Sequence, residues 1–149
     1  MAKVVDTREY LGMICQLLAE GKNHIPVPVA GSSMVPFLHN GDTVYLDRID
    51  SPLKKGDVVL YTRATGQYVL HRIVKCNPDG SFTMLGDAQQ ELERIESAAQ
   101  IHGRATAAVH QGKQMDSESA RWRFFATVWI WVWPLRYRLM AAFGKKKSR

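Results

Sequence analysis

The 149-residue chain has little cysteine. Cys15 and Cys76 are its only two, at no metal-ligand spacing. Cys15 falls in a helical pattern and Cys76 near a strand end, which argues against a disulfide framework and for two reduced thiols. The chain also lacks a cluster of metal-ligating side chains, a glycine-rich phosphate loop and any cofactor motif, so neither metal nor cofactor is expected. No secretory signal peptide is visible: residues 1–30 contain Asp6, Glu9 and Glu20 and no long uncharged apolar stretch. There is no run of the roughly twenty apolar residues that a membrane-spanning helix needs. Acidic side chains are missing altogether from Arg121 onward, where all eight charges are Lys or Arg. The other twelve Lys and Arg stand against fourteen Asp and Glu in residues 1–120. The formal net charge of +6 therefore averages a slightly acidic domain and a strongly basic tail. A nucleic-acid-binding domain needs a basic face of its own, which this pattern does not supply, so nucleic acid is not an expected partner.

What is present suffices for one domain. With 46% apolar and 23% charged residues the chain can bury a core. Tyr10, Met13, Ile14, Leu17 and Leu18 recur at helical spacing, so an amphipathic helix is predicted from about Asp6 to Glu20, with Asp6 or Thr7 as cap and Gly21 as stop. Pro26 and Pro28 then keep residues 23–30 extended. Short β-rich runs come next, separated by glycine turns: Thr43–Leu46, Asp57–Thr62, Tyr68–Cys76, Ser81–Leu85 and Ile101–His110. Asp87–Ala99 reads as a loop or short helix, and Gln111–Ala120 as a polar linker.

Phe124–Leu135 is nearly all apolar, carries Trp129, Trp131 and Trp133, comes just after Trp122, and is flanked by arginines. Tryptophan and arginine favour the lipid headgroup boundary, and Lys145–Lys147 would add attraction to anionic lipid. The tail over residues 121–143 is therefore expected to lie in a membrane surface as a peripheral or monotopic anchor. A helix docked on the protein's own core and a short true span are the other readings.

The chemistry centres on Gly31-Ser32-Ser33-Met34-Val35-Pro36. Gly31 opens backbone angles closed to other residues and Pro36 stiffens the end of the stretch, so it makes a tight turn presenting a serine. Serine needs a base to take its proton. Of five histidines, His71 sits in the strongly β-forming run Tyr68–Val74, where a rigid strand would hold an imidazole in place. Asp87, just after Gly86 at the end of a β-rich run, could orient that imidazole.

In order along the chain, Gly31-Ser32-Ser33-Met34-Val35-Pro36-Phe37-Leu38, Gly41-Asp42, Lys55-Gly56-Asp57-Val58-Val59, Val69-Leu70-His71-Arg72-Ile73-Val74, Leu85-Gly86-Asp87 and Ile101-His102-Gly103-Arg104 resemble the type I signal peptidase family and its wider clan, which includes self-cleaving repressors. The resemblance covers roughly residues 25–110. It implies a mainly β fold, a coiled sheet or partial barrel, here with an N-terminal helix and a C-terminal apolar helix. The implied division is helix 1–22, peptidase domain 23–112, linker 113–120 and membrane-associating tail 121–149. The serine before Met-x-Pro matches the nucleophile, here Ser33. His71-Arg72 resembles the endoplasmic-reticulum and archaeal type, which carries histidine where the bacterial enzymes use lysine. Asp87 matches the aspartate of the Gly-Asp box, and Glu93 stands where that type has a second aspartate. Asp87 is the favoured partner of His71, with Glu93 as the alternative acid.

The implied function is a serine endopeptidase that cleaves signal or leader peptides by acyl transfer, with Gly31 and Ser32 supporting the oxyanion side. Glycine at position 31 departs from the usual serine, and Ala88-Gln89 departs from the usual asparagines after the Gly-Asp box. With no N-terminal anchor in the sequence, the cytoplasmic face of a membrane is the favoured location. The competing readings are a catalytically silent β-domain acting as a membrane-associated binding module, and a self-cleaving regulator with Lys75 as base. Too few residues precede Ser33 for a helix-turn-helix domain, and some 13 Å of strand separates Lys75 from His71.

Overall fold

The computed structural model describes residues 7–89 and 91–132. The chain runs α1 (Thr7–Ala19), β1 (Ile25–Pro28), β2 (Thr43–Asp47), β3 (Val58–Thr62), β4 (Tyr68–Cys76), β5 (Phe82–Leu85), β6 (Glu93–Ile95), a short 3₁₀ turn (Ala98–Gln100), β7 (Ile101–His110), β8 (Lys113–Asp116) and α2 (Ala120–Trp131). The eight strands form one antiparallel sheet in the order β1-β2-β7-β3-β4-β5-β6, with β8 also on β7. The order does not return on itself, so the sheet is coiled but open, and the protein is mainly β.

Strand β7 is the spine. Residues 104–109 pair with β2, Ile101–Arg104 pair with β3, and Ala107–His110 pair with β8. The overlaps put β2 on one edge of β7 and leave β3 and β8 to share the other. Register shifts at Tyr45/Leu46 and Leu60/Tyr61 bend the strands around β7. This curvature separates two cores. Val58, Leu60, Val44, Leu46, Ala105 and Ala108 face the core that α1 and α2 close. Val59, Tyr61, Val69, Ile73, Met84 and Ile101 face the other. Strand β3 contributes to both, which is why Val58–Tyr61 is continuously apolar rather than alternating.

Three local readings change. In α1 the buried residues are Ile14 and Leu18, backed by Tyr10, Leu11 and Cys15, while Met13 and Leu17 face solvent. The helix is rotated toward Gly103, whose missing side chain makes room for Leu18. The segment read as a linker forms β8, a polar edge strand closed onto β7 by a turn at Gln111-Gly112. The segment Asp87–Ala99, read as loop or helix, contains the three-residue strand β6.

The first half of the tail docks on the domain. Ser119 caps α2 by accepting from the Trp122 N–H. Trp122 and Phe125 are buried against Phe37, at ring separations of 5.0 and 5.1 Å. Such burial stabilises by roughly 1.5–3 kcal/mol per side chain. Gly56, at φ +102°, lies under the helix: a Cβ there would meet the Ala126 carbonyl oxygen at 2.5 Å. Among the described residues no helix is long and apolar enough to cross a membrane. The tail from Trp133 on, including the lysine cluster, lies outside the described residues.

Candidate active site

The Gly31–Leu38 stretch folds as the tight turn its composition predicts. Gly31 takes φ +85°, and its N–H donates to Asn40 Oδ1 at 2.9 Å. Val29 and Gly41 close the base, with Val29 N–H donating to the Asp42 carbonyl and Gly41 N–H to the Val29 carbonyl. Met34, Phe37 and Leu38 point into the core and are almost fully buried, while Ser32 is exposed and Ser33 half-buried. The three apolar anchors thus hold the turn down and leave Ser33 at the rim of a cleft.

That cleft has a volume of about 850 Å³. Ser33 and His71 both line it, with apolar walls that include Val29, Leu60 and Leu70, and Tyr10 of α1 on one side. The loop after β5 packs against both polar residues. Ala88 N–H donates to the Ser33 carbonyl at 2.9 Å. A Cβ on Gly86 would lie 2.6 Å from that carbonyl oxygen and 3.0 Å from His71 Nε2. Only a hydrogen fits between the serine backbone and the imidazole, so Gly86 is required by close approach.

Alternation along β4 sends His71 and Arg72 to opposite faces. His71 is buried, and Nδ1 lies 3.3 Å from Tyr61 Oη. Tyr61 donates to Glu93 Oε1 at 2.8 Å, and Arg63 donates to both Glu93 oxygens, at 2.7 and 2.9 Å. Burial lowers the His71 pKa to about 4; the negative charge of Glu93 opposes that shift and Arg63 adds to it. His71 is therefore neutral at pH 7. Burial, and then the bond to Glu93, push the Tyr61 hydroxyl up, so it keeps its proton. For Glu93, burial works upward, but the hydrogen bonds from Arg63 and Tyr61 together outweigh it and hold the carboxyl below its ordinary value.

Asp87 has a different partner from the one expected. Both of its oxygens accept from Arg72, at 2.8 and 2.7 Å, in a pair with side-chain exposures of 0 and 2%. The third guanidinium nitrogen, Nη1, donates to the Gly56 carbonyl at 2.8 Å, and the guanidinium lies 4.8 Å from the Phe37 ring centre. Asp87 N–H also points at Met34 Sδ, and its carbonyl accepts from Trp129 Nε1 at 3.1 Å. The Gly-Asp box thus ties the serine turn, β4 and α2 together, while the Tyr61 hydroxyl links His71 Nδ1 to the Glu93 carboxylate.

Tyr61 and Arg63 belong to no motif that would mark them in the sequence. Their signal is register: Val59 pairs with His71, so Tyr61 sits diagonally beside it on the same face. Lys75 is exposed on β4 and does not line the cleft. The other thiol and histidine positions lie elsewhere, and Cys15 and Cys76 are free.

The Peptidase S24-like family model matches residues 2–106, more than half of the chain. This chain belongs to the Peptidase S24-like family. The match covers α1, the serine turn, His71 and Asp87, and ends within β7. It supports a serine peptidase-like protein of the broad superfamily that joins signal peptidases with self-cleaving repressors, without reaching the signal peptidase branch. Among curated proteins no match is found.

Proposed function

We propose that this member of the Peptidase S24-like family is a serine endopeptidase that removes signal or leader peptides at a membrane surface. The observation that carries the reading is that Ser33 and His71 line one apolar cleft, with the Ser33 carbonyl oxygen and His71 Nε2 lying 2.6 and 3.0 Å from the position a Cβ on Gly86 would take. In the reaction, Ser33 Oγ attacks the substrate carbonyl carbon as its proton passes to His71 Nε2. The Ser33 N–H stabilises the oxyanion, a contribution of about 3–4 kcal/mol per donor in comparable sites. His71 then gives the proton to the departing amine, the C–N bond breaks, and an acyl ester remains on Ser33. Water, deprotonated by His71, hydrolyses that ester and restores the serine. A neutral histidine at pH 7 suits the first step.

The exposed position of Lys75 speaks against the Ser–Lys alternative. Membrane contact is supported by the outer face of α2. Phe124, Val128 and Trp131 form an i, i+4, i+7 stripe left in solvent, Trp131 at 79% exposure, and every charge from Arg121 on is positive. A helix docked by one face and apolar on the other can hold the cleft at a lipid surface without spanning it.

Ser33→Ala and His71→Ala should each lower cleavage of a leader peptide with small residues before the cut by at least about 10³-fold. Ser32→Ala should retain most activity. Normal processing by both active-site variants refutes the proposal. The silent-module alternative predicts no cleavage by the unaltered protein and no Ser33-dependent adduct with a fluorophosphonate.

A further inference from the structure

We propose that Tyr61 and Glu93, with Arg63 holding Glu93, are the positioning residues that set the tautomer and orientation of His71. The inference rests on the reading of Ser33 and His71 as nucleophile and base.

The Tyr61 hydroxyl has one hydrogen, and at 2.8 Å it is given to Glu93 Oε1. Glu93 is ionised, because Arg63 covers both of its oxygens. Tyr61 Oη can then meet His71 Nδ1 only as an acceptor, so Nδ1 carries the hydrogen of the neutral ring. Nε2 is left with its lone pair on the side that faces Gly86, whose other close neighbour is the Ser33 carbonyl. This is the tautomer a base for Ser33 requires. When Nε2 takes the serine proton, the new positive charge lies one hydroxyl away from the Glu93 carboxylate. Tyr61 and Glu93 thus do jointly what a single carboxylate does when it touches the imidazole directly. The charged groups that act on His71 are Glu93 on β6 and Arg63 just after β3, with Tyr61 of β3 in contact. Asp87, on the loop after β5, is engaged by Arg72 of β4.

Imidazole ¹⁵N chemical shifts of the full chain report the tautomer without any need for activity. In the unaltered protein at pH 7 the His71 hydrogen should reside on Nδ1. Tyr61→Phe preserves the buried ring and removes the acceptor, so the ring should become a mixture of tautomers. Glu93→Gln removes the charge that raises the His71 pKa, so its midpoint should fall below the value in the unaltered protein. In parallel, the rate of Ser33 labelling by a fluorophosphonate should fall about 10²-fold in Tyr61→Phe. The labelling–pH profile of Glu93→Gln should shift to lower pH with the His71 midpoint. A hydrogen on Nε2 in the unaltered protein overturns the inference, and so do an unchanged tautomer and labelling rate in Tyr61→Phe. If the unaltered protein shows the Nδ1 tautomer but never labels at Ser33, the peptidase reading fails while the relay stands.

Discussion

Arg72 and Asp87 form a buried ion pair whose members depend on each other. Removing one partner leaves a charge in a site with almost no water, which costs about 3–5 kcal/mol. Asp87→Ala should therefore lower unfolding free energy by that amount in chemical denaturation, and a loss under about 1 kcal/mol would show that the pair is not holding the site together. Gly86 gives a sharper prediction. Gly86→Ala puts a methyl 2.6 Å from the Ser33 carbonyl oxygen and 3.0 Å from His71 Nε2. It should abolish Ser33 labelling while destabilising the fold by only about 1–3 kcal/mol, the usual cost of overpacking. His71 adds a pH dependence. Its folded pKa, about 4, lies below the ordinary value of 6.5, so the unfolded chain binds more protons between those limits. Stability is full above pH 6.5 and falls as the pH drops from 6.5 toward 4, by up to about 3 kcal/mol. His71→Gln should flatten that part of the stability–pH curve, and an unchanged slope would mean the imidazole is not buried as described. Ser33 and His71 were legible as candidates because the elements around them keep a recognisable order. Tyr61 was not, because nothing in Val58–Thr62 marks it. Only the pairing of Val59 with His71 brings it beside the imidazole.

Among the elements, α2 carries the clearest division of labour. Trp122 and Phe125 face the domain, and Phe124, Val128 and Trp131 face away. Trp122→Ala should cost about 3–5 kcal/mol of stability by leaving a cavity against Phe37. Phe124→Ser combined with Trp131→Ser should leave stability nearly unchanged and weaken sedimentation with anionic phosphatidylglycerol vesicles about tenfold or more. Equal binding by the double variant, or equal binding of the unaltered protein to neutral vesicles, would count against the lipid surface. The elements also show where sequence patterns carry and where they stop. Strands β4 and β7 could be read to the residue because long β-forming runs are cut off cleanly by turns. Strand β6 has three residues, two of them charged, and β8 is a polar edge strand; both exist because a neighbour offers its free edge. The buried side of α1 could be read as helical but not oriented. Leu17 and Leu18 both fit the period, and Gly103 on β7, far along the chain, decides for Leu18.

At the scale of the molecule, curvature around β7 and the docking of α2 serve one arrangement. The serine turn is held from below by Met34, Phe37 and Leu38, and α2 packs on Phe37 from the other side. The Asp87 loop is held in turn by Arg72 and Trp129. The face of α2 that points away from the domain is the apolar stripe, and the basic tail continues from its end. The serine turn and α2 are thus parts of one packed unit, so the proposed contact of α2 with lipid would present the cleft at a fixed position relative to a membrane surface. The mainly β architecture could be expected from turn spacing, whereas the docking of α2 could not, since an apolar helix with tryptophans suits a lipid surface and a protein core equally. All of the proposed chemistry depends on Ser33 being a nucleophile activated by His71. The decisive measurement treats the intact chain with a fluorophosphonate at pH 7 and maps the adduct by mass spectrometry. A single adduct is expected on Ser33, abolished in Ser33→Ala and slowed at least about 10³-fold in His71→Ala. No adduct on the unaltered protein, an adduct on Ser32, or labelling of Ser33 that is indifferent to His71 would contradict that role.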